Sequence, residues 1–238
     1  MSESKTREMI YADNASTNDA YKLGDVHELF SEDILEEMRE RTRDFTKLMT
    51  YYKCAMMEVE TKFNVLNEEF SLRHDRNPIS SVKCRLKSPV GIKRKLEKYG
   101  CPYTLAAIRD TVHDVAGVRV CCSFLDDVYM LADAFLGQDD VVLITKKDYI
   151  KNPKENGYRS LHLIVGIPIF LANEKQIMYV EIQLRTIAMD FWASLEHQLR
   201  YKKDRSFTSE MAEELLHCAE MSADLDLRMD RLRSQIGE

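Results

Sequence analysis

The stretch SSVKCRLKSPVGIKRKLEKYG, residues 80–100, holds a strand signal followed directly by a helix signal. In its first part apolar and basic residues alternate, and this period of two predicts a strand with one basic face. Its second part begins near a proline and ends at a glycine, which favour the first turn and the end of a helix. The change of period predicts that strands and helices are interleaved in the middle of the chain.

The same kinds of signal continue on the C-terminal side. AGVRVCCSF, DVVLITKKDYI, RSLHLIVGIPIFL and QIMYVEIQL predict four more strands, the last two forming a hairpin around residues 173–175. DDVYMLADAFLG predicts a helix with an acidic first turn. Apolar residues spaced by three and four predict a helix in one or two pieces from Ile34 to Leu66, and another from Met211 to Leu232. We therefore predict an α+β fold with a mixed β-sheet of about five strands, flanked by helices and by long N- and C-terminal helices.

Composition and charge limit the function. The 238 residues are 45% hydrophobic and 31% charged, as in globular proteins. We expect a flexible arm over residues 1–24 and a single domain over residues 25–238. The net charge of −6 disfavours coating of duplex DNA, which depends on neutralising phosphates. No apolar stretch is long enough to span a bilayer, and the first residues lack a signal-peptide core, so a soluble, cytoplasmic protein without membrane contact is expected.

Basic residues are concentrated in the opening stretch. Lys83, Arg85 and Lys87 alternate onto one face of the predicted strand. Four more cations follow on the predicted helix: Lys93, Arg94, Lys95 and Lys98. In an acidic protein this cluster suits a polyphosphate, which needs several charge-assisted contacts. A solvated basic surface is the alternative.

Two carboxylates stand where phosphate chemistry would need them. Glu181 lies in mid-strand on the same face as Gln183, where burial is costly unless the carboxylate is paired or binds a metal. Asp114 precedes a strand in which Gly117 permits close approach of the backbone. Carboxylates near a basic cluster are typical of Mg²⁺-dependent phosphoryl transfer. Taken alone, Asp114 is equally well explained as a turn or cap residue.

Two further residues suggest binding of planar groups. Arg119, in mid-strand, needs an anion or a stacking partner, and a structural ion pair would serve equally well. Tyr158 ends a polar loop that contains Lys154, Asn156 and Gly157. A tyrosine in such a loop can stack on a nucleobase or pack at the rim of the core.

Five motifs in series resemble the RelA/SpoT synthetase domain, and more narrowly the stand-alone small alarmone synthetases. They are R-x-K in the first strand, DVAGVR, DYIKNPKENGYRSLH, VEIQLRT and AMDFWASLEHQLRYK, within about residues 45–236. The resemblance implies a nucleotidyltransferase-like sheet. It also implies transfer of pyrophosphate from ATP to the 3′-hydroxyl of GDP or GTP, with release of AMP, in the stringent response.

The resemblance assigns roles to residues at the matching positions. It implies that Asp114 and Glu181 are catalytic and bind Mg²⁺, with Glu181 helping to deprotonate the 3′-hydroxyl. The implied ATP-binding residues are Arg85, Lys87, Lys95 and Arg119, the two arginines sandwiching adenine. The implied GDP/GTP-binding residues are Tyr158, which stacks on guanine, Lys147, Lys154, Asn156, His162 and Gln183. Arg159 falls in the same motif and is expected to support the site.

The chain departs from many relatives at one position, because Gly91 stands where they have a serine that contacts phosphate. The dipeptides His74-Asp75 and His113-Asp114 lack the continuation of the family's H-D-x-x-E-D hydrolase motif, so we expect synthesis without hydrolysis. A catalytically weak nucleotide- or RNA-binding regulator on the same fold is the main alternative. A nucleotidyltransferase that releases pyrophosphate is a third.

The two terminal helices predict assembly. Their apolar stripes are more than one small sheet can bury, and the resemblance implies a homotetramer. It also implies that an alarmone or a single-stranded RNA regulates some members. The alternative is that both helices pack onto their own sheet.

Overall fold

The computed structural model describes residues 32–74, 76–200 and 207–236. The arm expected over residues 1–24 lies outside these ranges, and the single-domain assignment of residues 25–238 stays a prediction. The chain divides into two compact units, one ending at Thr46 and the other beginning at Lys47. In the first unit the described residues, 32–46, are helical. None of the described helices has the length and apolar character needed to cross a membrane.

A five-stranded mixed sheet forms the centre of the second unit. Its strands are β1 (Ile79–Leu86), β2 (Ala116–Cys122), β3 (Val142–Asp148), β4 (Leu161–Phe170) and β5 (Lys175–Thr186). Their spatial order is β1-β2-β5-β4-β3. β2 and β5 are parallel, and the other neighbouring pairs are antiparallel. The predicted fold class is confirmed, and β4 and β5 form the expected hairpin.

Six helices lie in the described residues. They are α1 (Glu32–His74), α2 (Pro89–Tyr99), α3 (Leu105–Thr111), α4 (Leu125–Leu136), α5 (Ile187–Arg200) and α6 (Ser209–Ile236). α1 is one continuous helix and not two pieces. α3 was not predicted, since its seven residues are too few to show a period. It is capped by Thr104, whose side chain accepts a hydrogen bond from the Ala107 amide.

Both ends of α2 follow from single residues. The Ser88 hydroxyl accepts a hydrogen bond from the Gly91 amide at 3.1 Å, and Pro89 occupies the first helical position. Gly100 ends the helix with a φ of 66°, which a side chain would disfavour. Ile92 and Leu96 are buried and fix the helix on the domain. Lys95, on another face of α2, is thereby held in place beside the sheet.

One face of the sheet is the hydrophobic core. Val118, Leu163 and Ile182 are register neighbours on β2, β4 and β5, and all are buried. α1 and α4 meet here through the stacked rings of Phe63 and Phe135, whose centroids are 4.6 Å apart. The period of two then directs the intervening residues of every strand to the other face of the sheet. That second face carries the polar residues singled out from the sequence.

α6 packs on α5 and on the loop before β4. Trp192 and Ala193 of α5 form a buried cluster with Ala219 of α6, and Tyr158 packs against it. The Trp192 indole N–H donates to the carbonyl of Leu215 at 2.7 Å. The C-terminal helix therefore touches the loop that holds Tyr158.

Candidate active site

A row of polar residues crosses the second face of the sheet. The strand register pairs Lys147 with His162, His162 with Gln183, Gln183 with Arg119, and Arg119 with Lys83. Side chains of directly paired residues point to the same face. The row thus brings together residues that are up to 100 positions apart in the sequence. It places three of the expected acceptor residues in one row with Arg119, and Gln183 lies directly beside it.

Glu181 stands in the next row of the sheet. Its register neighbour on β2 is Gly117, which in turn pairs with Arg85 on β1. Since Gly117 has no side chain, the surface between Glu181 and Arg85 is left open. Two adjacent strand spacings separate them, about 10 Å, which is enough to admit a phosphate group.

The Glu181 carboxylate is partly buried, and two side chains of the polar row, Gln183 and His162, contact it. The Gln183 amide donates to its Oε2 at 2.9 Å, and His162 Nδ1 lies 3.7 Å from its Oε1. Burial raises the pKa of Glu181, but the neighbouring His162 and Gln183 and the charge of Lys95 outweigh burial and leave this pKa below its ordinary value. Glu181 is therefore ionised at neutral pH.

Asp114 is bound by two of the expected phosphate-binding lysines. Its Oδ2 lies 2.8 Å from Lys95 Nζ and 3.1 Å from Lys87 Nζ. Its Oδ1 is buried and has no hydrogen-bond partner in the part of the chain that the structure describes. A buried carboxylate oxygen without a partner is unusual and leaves a position for a cation.

Arg119 makes an ion pair, the alternative that the sequence left open. Its Nη1 lies 3.2 Å from Asp190 Oδ1, and its Nε is buried without a partner. The paired contact lies at the edge of the guanidinium. Arg85, on β1, is exposed and lies on the same face of the sheet.

The loop between β3 and β4 presents Tyr158 toward the polar face. The Tyr158 hydroxyl lies 2.8 Å from His162 Nε2, and Lys154 Nζ lies 4.7 Å from the ring centroid of Tyr158 and 4.6 Å from that of Tyr149. The loop turns at Gly157, whose φ is 84°. A Cβ there would lie 2.5 Å from the Cβ of Ala219, so only glycine fits against α6.

Asn156 shapes this loop from within. Its Oδ1 accepts a hydrogen bond from the Tyr158 amide at 3.3 Å, and its Nδ2 donates to Glu196 of α5 at 3.2 Å. Lys147 is exposed at the end of β3. Arg159 lies near α6, where burial raises the pKa of Asp226 and the charge of Arg159 offsets a small part of this rise.

Comparison with known proteins connects this geometry to a family. The family described as "Region found in RelA / SpoT proteins" matches residues 84–206, more than half of the chain. The matched range includes every expected site residue. The chain belongs to the RelA/SpoT family.

Named relatives within the RelA/SpoT family cover most of the chain. "GTP pyrophosphokinase YwaC" of Bacillus subtilis (strain 168) is 39% identical over 202 residues, which are 85% of this chain and 96% of that protein. Small alarmone synthetase 2 from Bacillus subtilis is 39% identical in its crystal structure, with a TM-score of 0.73, covering 81% of this chain and 99% of that one. Small alarmone synthetase 1 from the same organism, bound to its product pppGpp, is 31% identical with a TM-score of 0.75, covering 82% and 100%. The resemblance inferred from the motifs is confirmed.

The structure adds two residues of this RelA/SpoT site that sequence reasoning missed. Arg185 follows Glu181 and Gln183 on the same strand face, and its Nη2 donates to Gln183 Oε1 at 2.7 Å and to the Tyr158 hydroxyl at 2.5 Å. Asp190, in the first turn of α5, accepts from Arg119 and Arg185. Alternation along β5 was a usable signal for Arg185. Nothing in the local pattern pointed to Asp190, which looks like an ordinary acidic residue near a helix N-terminus.

Proposed function

We propose that this chain is a (p)ppGpp synthetase that transfers the pyrophosphate of ATP to the 3′-hydroxyl of GDP or GTP and releases AMP. The observation that carries the proposal is the shared face of the sheet. There the strand register places an ionised Glu181, the Lys87–Lys95–Asp114 cluster lies just before β2, and the Tyr158 loop contacts His162. Membership of the RelA/SpoT family and relatives named GTP pyrophosphokinase support the same reaction.

ATP binds at the β1–β2 end of the sheet in this proposal. Lys87 and Lys95 contact its phosphates, with Arg85 adding a third positive charge. The faces of Arg85 and Arg119 hold the adenine ring between them. Gly91 supplies only its backbone amide, and that amide already donates to Ser88. The Ser88 hydroxyl, which still has a proton to donate, is the candidate to replace the serine contact found in many relatives.

The acceptor nucleotide binds at the β3–β4 end. The Tyr158 ring stacks on guanine, and Lys147 and Lys154 contact its phosphates. Lys154 already lies over two tyrosine rings, where cation–π attraction holds it without a carboxylate partner among the described residues. His162, Gln183 and Asn156 hold Tyr158 and Glu181 in place.

The residues present fit a Mg²⁺ ion. Asp114 Oδ1 is a buried carboxylate oxygen without a partner, and Glu181 is ionised. Among the described residues no group of three or more His, Cys, Asp or Glu side chains forms a metal site. Mg²⁺ in phosphoryl-transfer enzymes uses one or two carboxylates and completes its shell with substrate phosphates and water. When bound, Mg²⁺ would neutralise charge that develops on the phosphate oxygens.

In the reaction the 3′-oxygen of the acceptor forms a bond to the β-phosphorus of ATP. The bond from that phosphorus to the oxygen of AMP breaks, and the 3′-hydroxyl loses its proton. Lys87, Lys95 and Arg85 stabilise the charge on the phosphate oxygens and the leaving AMP, which is the larger contribution in this chemistry. Glu181 accepts the proton. Its lowered pKa makes it a weak base, which suffices where charge stabilisation dominates.

The test is incubation of the purified chain with radiolabelled ATP, GDP and Mg²⁺. We expect label in a guanosine tetraphosphate and one AMP for each product formed. Release of pyrophosphate with a nucleotidyl product would show a different transferase. Nucleotide binding without turnover would show a regulator. A parallel incubation with ppGpp alone tests the expected lack of hydrolysis, because released pyrophosphate would contradict it.

Assembly into a homotetramer is part of the same proposal. Along the outer side of α6 an apolar stripe stays exposed: Met211, Cys218, Met221, Leu225, Met229 and Leu232. The stripe of α1, by contrast, is buried on its own domain from Leu48 to Leu66. Light scattering should give a tetramer for the full chain, and Leu225→Glu with Met229→Glu should dissociate it. A monomeric wild-type chain at micromolar concentration would refute assembly.

The proposal also covers the ligands that regulate the tetramer and the cellular location of the protein. In the tetramer, a cleft between subunits is the expected site for an alarmone or a single-stranded RNA, and titration of each against the tetramer would test it. The proposed substrates, ATP and GTP, favour a cytoplasmic location. Fractionation of the native host cells would check this location.

A further inference from the structure

Asp190 is the most heavily paired carboxylate on the polar face. Its Oδ1 lies 3.2 Å from Arg119 Nη1 and 3.3 Å from Arg185 Nη1, and its Oδ2 lies 3.3 Å from Lys83 Nζ. The residue is 8% exposed. α5 begins directly after β5, so the first turn of α5 is fixed over the ends of the parallel strands β2 and β5.

The two arginines serve different ends of the sheet. Arg119 belongs to the ATP end. Arg185 is 3% exposed and supports the acceptor end, since it donates to the Tyr158 hydroxyl and lies 5.0 Å from the centroid of that ring. Burial lowers the pKa of Arg185, and the nearby charge of Arg119 lowers it further. Both guanidiniums lie within 3.3 Å of the same Asp190 oxygen, whose negative charge offsets their mutual repulsion.

We infer that Asp190 is a positioning residue that couples the two nucleotide sites. We call this arrangement the Asp190 bridge. In it, Asp190 holds the edge of Arg119, so that the plane of Arg119 faces the adenine position. It also holds Arg185, which fixes Tyr158 at the guanine position. This inference rests on the proposed function. It goes beyond that function because it assigns a role to a residue, Asp190, that is proposed to touch neither substrate.

Asp190→Asn tests the bridge. The amide keeps the size of the side chain but loses its charge, and its single carbonyl oxygen cannot neutralise two arginines. We expect the KM for ATP and the KM for GDP each to rise roughly tenfold, the scale of a lost charged hydrogen bond. Asp133→Asn is the matched control, since Asp133 is 75% exposed at the side chain and its lysine partner is 3.9 Å away. It should leave both KM values within twofold of wild type.

A second variant separates positioning from general destabilisation. Tyr158→Phe removes the hydroxyl that Arg185 contacts. In that background Asp190→Asn should raise the KM for GDP much less than in the wild type, while the rise for ATP persists. Asp190→Glu, which keeps the charge, should recover part of both losses.

Each outcome is decisive. A wild-type chain without pyrophosphate transfer would refute the proposed function itself. With an active wild type, the bridge is refuted if Asp190→Asn changes neither KM or only one of them. It is also refuted if the variant lowers the melting temperature without changing KM well below that temperature, because Asp190 would then only support the fold.

Discussion

The two ends of the polar face hold their cations in different ways. At the β1–β2 end, Lys87 and Lys95 are paired with Asp114, and Lys83 and Arg119 with Asp190. At the β3–β4 end, Lys154 lies over the rings of Tyr149 and Tyr158. One end is organised by carboxylates and the other by aromatic rings.

Because their cations have different partners, the two ends are prepared for their ligands in different ways. A triphosphate arriving at the β1–β2 end must share lysines that already have an anion, so a cation on Asp114 would help to release them. A guanine arriving at the β3–β4 end meets a ring that is already oriented and need exchange no ion pair. We therefore expect substitutions at the two ends to affect different substrates, with Glu181 between them affecting the reaction itself.

The largest effect is expected at Glu181. Glu181→Gln should lower kcat by about 10²–10⁴, the usual loss for a central acid–base group, while both nucleotides still bind. The change is nearly isosteric, so circular dichroism and the melting curve should remain close to wild type. Radiolabelled turnover and separate titrations of ATP and GDP measure the two properties.

Glu174→Gln, in the turn of the same hairpin, is the control for Glu181 and should keep wild-type kcat. A Glu181→Gln variant within about tenfold of wild type would remove Glu181 from its proposed role. It would also show that the reaction between the nucleotides bound at the two ends does not depend on this carboxylate.

The next effect concerns the carboxylate-organised end. Lys95→Met removes a charge that contacts Asp114 and keeps much of the stem that packs on the domain. The KM for ATP should rise about 10–100-fold, the range expected for a charge-assisted contact. The KM for GDP should stay within about twofold. An equal rise for both substrates would show that the two ends are not separate.

The ring-organised end should show the opposite pattern. Tyr158→Ala removes a stacking surface worth roughly 1–3 kcal/mol, so GDP affinity should fall by about 5–150-fold while ATP affinity is nearly retained. Tyr158→Phe is the matched variant, since it keeps the ring but loses the hydroxyl that Arg185 contacts, and it should lose less GDP affinity than Tyr158→Ala, roughly the tenfold expected for Asp190→Asn. Isothermal titration with each nucleotide decides between stacking and a purely structural role, because a structural role would lower both affinities.

The individual strands and helices could be predicted from the sequence better than the contacts between them. The alternation in Lys83, Arg85 and Lys87 was enough to place Lys83 and Arg85 on one face of β1, with Lys87 directly after its end, since a period of two is a local property. The Asp190 bridge was not accessible in this way. It depends on how β5 runs into α5 and on the register of β2 against β5, which are long-range features that no local pattern records.

The same limit applied to the C-terminal helix. Its apolar stripe predicted a helix, and α6 is one, but the stripe lies on the exposed side. The side that faces the domain uses small residues such as Ala219, which admit the loop at Gly157. Small side chains carry little hydrophobic signal, so the contact between α6 and the Tyr158 loop could be found only in the structure.

The smallest expected effect comes from a matched pair of glycines, one at each end. Gly100 and Gly157 both have positive φ, so alanine at either position should cost about 1–2 kcal/mol of stability from backbone strain. A Cβ at Gly100 meets nothing within 4 Å, whereas one at Gly157 meets Ala219 and Leu216 of α6. Gly157→Ala should therefore displace the Tyr158 loop and raise the KM for GDP several-fold, with ATP unchanged, while Gly100→Ala should change neither. Chemical denaturation and steady-state kinetics of the two variants test this. Equal kinetic behaviour would show that the contact with α6 does not hold the acceptor loop in place.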